Sequence, residues 1–79
     1  MPSNQECFDS VVEEMRKVLK SYNTTKGNSW RFKSDQDLLD ELLAKFHDFQ
    51  ITDNPQHELI DIMNCAYLLW AKRKFFKGV

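Results

Sequence analysis

Apolar residues recur along this chain at three- and four-residue steps in three stretches, separated by polar, turn-forming residues. Phe8, Val11, Val12, Met15, Val18, Leu19 and Tyr22 form the first stretch. This spacing predicts an amphipathic helix over 4–22. Ser3-Asn4-Gln5-Glu6 has the form of a capping box, with Ser3 as N-cap and Glu6 reaching back. Asp9, Glu13, Arg16, Lys17 and Lys20 fall on the other face, which reads as solvated. Residues 23–33 read as a loop, because Asn23-Thr24-Thr25-Lys26-Gly27-Asn28-Ser29 is rich in turn formers. Trp30 follows, flanked by Arg31, Phe32 and Lys33. A large aromatic in a polar loop either plugs the core, its commoner use, or forms a ligand wall.

A second helix is predicted over 35–49, capped by Ser34 or Asp35, with Leu38, Leu39, Leu42, Leu43, Phe46 and Phe49 as its stripe. Glu41, Lys45 and Asp48 line one flank of that stripe, and His47 falls on the opposite flank as a surface histidine. Asp53 or Asn54 can cap a third helix, with Pro55 at its first position. This helix runs from 55 to 74 or beyond, with Gly78 as its stop.

The third helix departs from simple amphipathicity. Between Glu58 and Trp70 only Glu58, Asp61 and Asn64 are polar, and they stand three apart, on one face. So apolar a helix should be buried on most of its circumference. A carboxylate at its edge then needs a cation, a hydrogen-bond network or a metal. Leu68, Trp70 and Tyr67 point away from Leu59, Met63 and Ala66, so two amphipathic neighbours cannot cover the whole girth. Self-association into a homodimer or higher homo-oligomer would cover the excess.

Seventy-nine residues suit a single domain, 1–79, near the lower limit for a self-sufficient core. Two glycines and two prolines leave few turns, which favours an all-α fold of three helices joined into a bundle. The net charge of −1 gives no global pull toward nucleic acid or a membrane surface. Lys72, Arg73, Lys74 and Lys77 do gather at the end of the chain. Their ordinary role is to complement a helix C-terminus, and contact with phosphates is the weaker reading. Cys7 and Cys65 have no zinc-ligand spacing and read as reduced cytoplasmic thiols. The first residues show no signal-peptide pattern, and the run from Cys65 to Ala71 is too short to span a bilayer.

No Gly-rich phosphate loop, Gly-x-Ser-x-Gly or His-Glu-x-x-His motif is present. His57 lies beside Glu58 at the start of the third helix, where solvent exposure is its simplest role. The chemistry that remains is a carboxylate site. Glu58 and Asp61 could hold Mg²⁺, which takes oxygen ligands and bridges to phosphates, with Glu41, Asp48 or Glu14 completing the shell. Asp61, Asn64 and Lys72 could equally form an ordinary solvated strip.

The order of pieces carries a resemblance. An amphipathic helix leads to Lys26-Gly27-Asn28-Ser29-Trp30-Arg31. A helix with Lys45 at its seam follows, then Glu58-Leu59-Ile60-Asp61-Ile62-Met63-Asn64-Cys65-Ala66. This resembles the all-α MazG-like nucleotide pyrophosphohydrolases, above all their small branch, the nucleotide-modification-associated domain family of bacteria and phages. Those proteins typically show a Tyr-Gly-x-Ser-Trp-Arg loop and a final helix with Glu-x-x-Asp and a following Asn. The resemblance implies a nucleotide-binding protein that cleaves a nucleoside triphosphate to monophosphate and pyrophosphate with Mg²⁺. It implies that Glu58 and Asp61 hold the metal and Lys45 stabilises the leaving pyrophosphate. It further implies that Lys26 and Arg31 meet phosphates and that Trp30 flanks a base. The family's other pair, Glu-x-x-Glu, has no counterpart on the second helix: Ala44 follows Glu41 at the third step, and Asp48 follows Lys45. The alternative is a catalytically inactive, phage-type helical protein that buries its surplus apolar face on a host protein.

Overall fold

A computed structural model describes residues 1–27 and 29–76, the side chains at 23–26 apart. Three helices account for nearly all of it: α1 (Asn4–Lys26), α2 (Asp35–Ile51) and α3 (Pro55–Phe75). A 3-10 turn, Ser29–Phe32, sits between α1 and α2. There is no strand among the described residues, so the all-α expectation holds.

Each helix starts where its capping residue says it should. The Ser3 hydroxyl accepts from the Glu6 N–H at 3.1 Å, and that of Ser34 from Asp37 at 3.0 Å. The Asn54 side chain accepts from the His57 N–H at 3.3 Å, with Pro55 at the first helical position. These bonds satisfy amide donors that the first turn leaves without a helical partner. The ends of α1 and α2 differ from expectation, whereas α3 stops at Phe75, within the expected range of 74 or beyond. α1 runs four residues past Tyr22, through the stretch read as a loop, and stops at Gly27, whose φ is +62°. Asn23, Thr24 and Thr25 are indifferent helix formers, but nothing in them forbids the helix. Gly27 supplies the left-handed residue that ends it. α2 likewise continues two residues further, to Ile51. The predicted stop at Gly78, like Lys77, lies outside the described residues.

Only residues 52–54 link α2 to α3, which turns α3 back along α2. The two are fastened at the far end, where Arg73 Nη1 donates to Asp35 Oδ2 at 2.7 Å. Lys72 is buried there, donating to the Lys33 carbonyl, with Asp35 Oδ1 3.9 Å from its Nζ. Its aliphatic stem fills space while its ammonium meets two oxygens. α1 packs on α3 as well, and Asn64 Nδ2 donates to the Met15 carbonyl at 3.3 Å. α1 and α2 barely touch one another. α3 is therefore the common support, and the other two helices stand apart on it.

The core cluster is Trp30, Leu38, Leu68 and Ala71, with Leu19, Tyr22, Leu69 and Phe76 packed around it. Trp30 meets Phe76 edge to face at 5.6 Å, a favoured aromatic geometry. The 3-10 turn thus drives Trp30 inward and closes one end of the helix pair.

Candidate functional site

Because α1 and α2 diverge, a cleft of about 430 Å³ opens between them with α3 as its floor. That volume lies in the range of small-molecule sites. α1 contributes Val18, Leu19 and Tyr22, an apolar wall. The chain before and along α2 contributes Lys33, Glu41, Ala44, Lys45 and Asp48, a charged wall. Asp61, Asn64, Cys65 and Leu68 of α3 form the floor. The arrangement follows from periodicity: Glu41, Lys45 and Asp48 lie on one flank of α2, and 61, 64, 65 and 68 fall on one side of α3.

In the cleft Lys33 pairs with Glu41 and Lys45 with Asp61. Lys33 Nζ donates to Glu41 Oε1. That bond, with the charge of Glu41, outweighs the effect of burial and holds the Lys33 ammonium above its ordinary pKa. Asp61, whose side chain is 17% exposed, has Lys45 Nζ at 3.7 Å and His57 Nε2 at 3.6 Å. At these distances the contacts are electrostatic and leave the carboxylate's lone pairs for a closer ligand. Asn64 leaves its Oδ1 buried with no hydrogen-bond partner among the described residues. Burial, assisted by the negative charges of Glu41 and Asp61, raises the Cys65 thiol above its usual range and keeps it protonated. Both cysteines are free thiols.

Asp61, Lys45, Glu41 and Asp48 therefore share one cleft, as the flank positions imply. Glu58 does not line it; it is half-buried one turn earlier, its Oε2 buried without a hydrogen-bond partner among the described residues. Glu14 lies elsewhere, in a groove between the starts of α1 and α3, and pairs with Lys17 at 3.2 Å. Trp30 is a correction: 7% exposed and part of the core, it is a plug and not a wall beside a base. Arg31 lies away from the cleft lining: its guanidinium is 4.4 Å from the Phe76 ring centre and 5.6 Å from that of Trp30, and its Nε is buried with no hydrogen-bond partner among the described residues. The side chain of Lys26 lies outside the described residues.

The solvated strip of Asp61, Asn64 and Lys72 is not found, since all three are buried or largely so. Of the basic C-terminal run, Lys72 and Arg73 meet Asp35 and Lys74 Nζ lies 5.3 Å from the Trp70 ring centre, while Lys77 lies outside the described residues. His47 is exposed, as expected of a surface residue. Lys33 is the cleft residue that sequence reading misses. Its one signal is a position directly before the Ser34 cap, where a side chain can turn back along the first turns of α2.

Among the described residues, no three His, Cys, Asp or Glu side chains converge closely enough to hold a metal by themselves. Mg²⁺ does not require such a cage; it is commonly bound by one or two carboxylates, with phosphate oxygens and water filling its shell. Asp61 and the unpartnered Glu58 oxygen are hard donors of the right type. No helix among the described residues is long and apolar enough to cross a membrane. Compared with family models, curated proteins and solved structures, the chain gives no match.

Proposed function

We propose that this chain is a MazG-like nucleotide-binding protein, and that the cleft between α1 and α2 takes a nucleoside triphosphate. The observation that carries the reading is the meeting of Lys33 and Lys45 with Asp61, Glu41 and Asp48 over a half-apolar pocket. A nucleotide needs both halves: an apolar wall for the base, given by Val18, Leu19 and Tyr22, and cations for the phosphates. The ammonium of Lys33 is held charged by Glu41, and Lys45 sits loosely enough on Asp61 to turn toward an incoming phosphate. Asn64 Oδ1 offers an unused acceptor on the floor for a donor group of the ligand.

If the protein is a pyrophosphohydrolase, it turns the triphosphate into monophosphate and pyrophosphate. Asp61, with Glu58, would hold Mg²⁺, which neutralises phosphate charge and activates water. Lys45 would then face the charge that grows on the leaving pyrophosphate. The other reading, an inactive module acting on a host protein, draws on the exposed apolar residues of α2 and α3.

The test is a thermal-shift screen of the four NTPs and four dNTPs, with and without Mg²⁺, followed by pyrophosphate release. Wild type should be stabilised by at least one nucleotide, and Asp61→Ala and Lys45→Ala should lose the shift while remaining helical. If wild type binds no nucleotide under either condition, the nucleotide reading is wrong. Binding without pyrophosphate release would leave a binding protein and remove the enzyme.

A further inference from the structure

The net charge of −1 conceals a division of the chain. Residues 1–15 and 46–71 carry eight acidic side chains and neither lysine nor arginine. Residues 16–45 and 72–79 hold all eleven lysines and arginines and only four acids. The fold turns this division into two ends. α1 and α3 run in the same direction: their starts share one groove, and Leu19 and Tyr22 of α1 reach the core beside Leu68 and Ala71 of α3. α2 runs the other way, so its end lies with their starts, joined to α3 through 52–54. One end of the molecule is therefore acidic. The other brings Arg31 of the 3-10 turn together with Lys72, Arg73 and Lys74 of α3.

The basic end also exposes aromatic rings. Trp70 and Phe75 are 55% and 64% exposed, and Phe32 of the 3-10 turn is 76% exposed. Trp70 and Phe75 meet edge to face, with ring centres 6.0 Å apart. Lys74 Nζ stands 5.3 Å from the first centre and 5.8 Å from the second. Trp70, Arg73 and Lys74 fall on one face of α3 at three- and four-residue spacing. Arg73 is bonded to Asp35, but both side chains stay largely in solvent, and such a pair is weak enough to yield to another anion. Helix dipoles account for cations at the ends of α1 and α3. They do not account for rings left in water among those cations, where exposure costs free energy.

We propose that the basic end binds single-stranded nucleic acid, with phosphates on Arg73 and Lys74 and bases stacked on Trp70 and Phe75. A strand brings a phosphate and a flat base with every nucleotide, and this patch offers cations and rings side by side. A duplex would leave the rings unused, because its bases are already stacked on one another. An anionic membrane would draw the same cations, but interfacial helices bury aliphatic as well as aromatic side chains. The large apolar residues exposed on the 3-10 turn and from Trp70 to Phe75 are all aromatic. The acidic end repels phosphates and so confines the strand to the basic one. The inference does not depend on what binds in the cleft.

Fluorescence anisotropy of a labelled oligodeoxynucleotide of about twelve nucleotides, titrated with the purified full chain, tests it. Wild type should bind with a dissociation constant of about 1–100 µM at about 50 mM salt and lose affinity as salt is raised to about 200 mM. Lys74→Ala should weaken binding and flatten that dependence on salt. Trp70→Ala should weaken binding about fivefold or more, the loss of one stacked base. Lys17→Ala, in the middle of α1 and paired with Glu14, should change neither affinity nor salt dependence. Circular dichroism checks each variant; should Trp70→Ala unfold, Phe75→Ala is read in its place, with the same weakening expected. A wild-type chain that binds no strand at low salt would overturn the proposal, whether or not it binds vesicles containing phosphatidylserine. So would an affinity that Lys74→Ala and the ring variant both leave unchanged. A strand displaced by micromolar nucleoside triphosphate would lie in the cleft and would overturn it too.

Discussion

At the scale of single residues, Lys72 shows how a charge can serve as packing. It is among the best-buried side chains of the chain, yet its ammonium reaches only the Lys33 carbonyl and the edge of Asp35. Asp35 keeps Arg73 at 2.7 Å and remains half-exposed, so it can do without Lys72. The stem should therefore matter more than the charge. Lys72→Met should stay within about 1 kcal/mol of wild type, because an apolar isostere can replace a buried pair without loss. Lys72→Ala should lose about 2 kcal/mol, because it removes the stem and the hydrogen bond together. Urea denaturation of both variants measures the difference; equal losses would mean that the ammonium dominates. In sequence, Lys72 looks like any cation near a helix C-terminus. Its burial depends on Lys33 and Asp35, nearly forty residues away, and no local pattern records that. Trp30 is a middle case: in sequence a large aromatic in a polar loop leaves plug and ligand wall both open, and it is the fold that places it in the core.

At the scale of elements, the starts were legible, and the ends of α1 and α2 were not. Ser3, Ser34 and Asn54 each begin a helix because an N-cap is a local bond, made within three residues of the cap. An end is set by what the next residues cannot do. The stop of α1 rests on Gly27, at φ +62° with nothing within 4 Å of where a Cβ would sit. The cost of a side chain there is conformational alone. Gly27→Ala should destabilise by about 1 kcal/mol, and Gly27→Asn by less, since asparagine tolerates the left-handed region. Urea midpoints for the two variants, read at constant slope, decide it. The flank of α2 that carries Glu41, Lys45 and Asp48 was readable from periodicity, and so was the place of Asp61 on α3. The gap those side chains face was not readable. It exists because α1 and α2 each prefer α3 to one another, and such a preference between distant helices leaves no mark on either sequence.

At the scale of the whole molecule, the cleft makes stability depend on pH. Cys65 and Lys33 both hold a proton more tightly in the folded chain than in the unfolded one. In each case the contribution is complete below the unfolded pKa and fades as pH rises through the folded one. For the thiol that window opens above about pH 8.5, and for the ammonium above about pH 10.4. Melting temperature should therefore fall as pH is raised past 8.5. Cys65→Ala should flatten the first part of the decline and leave the later part, which belongs to Lys33. A decline of unchanged shape in Cys65→Ala would assign it to other groups. α3 also has a consequence for how the gene can change. One side of this helix floors the cleft, and the opposite side carries Leu59, Met63 and Trp70. One codon gained or lost near its middle would rotate everything downstream by about 100°, exchanging wet positions for dry ones. Length variation should be tolerated in the joint at 52–54 and refused between 58 and 72.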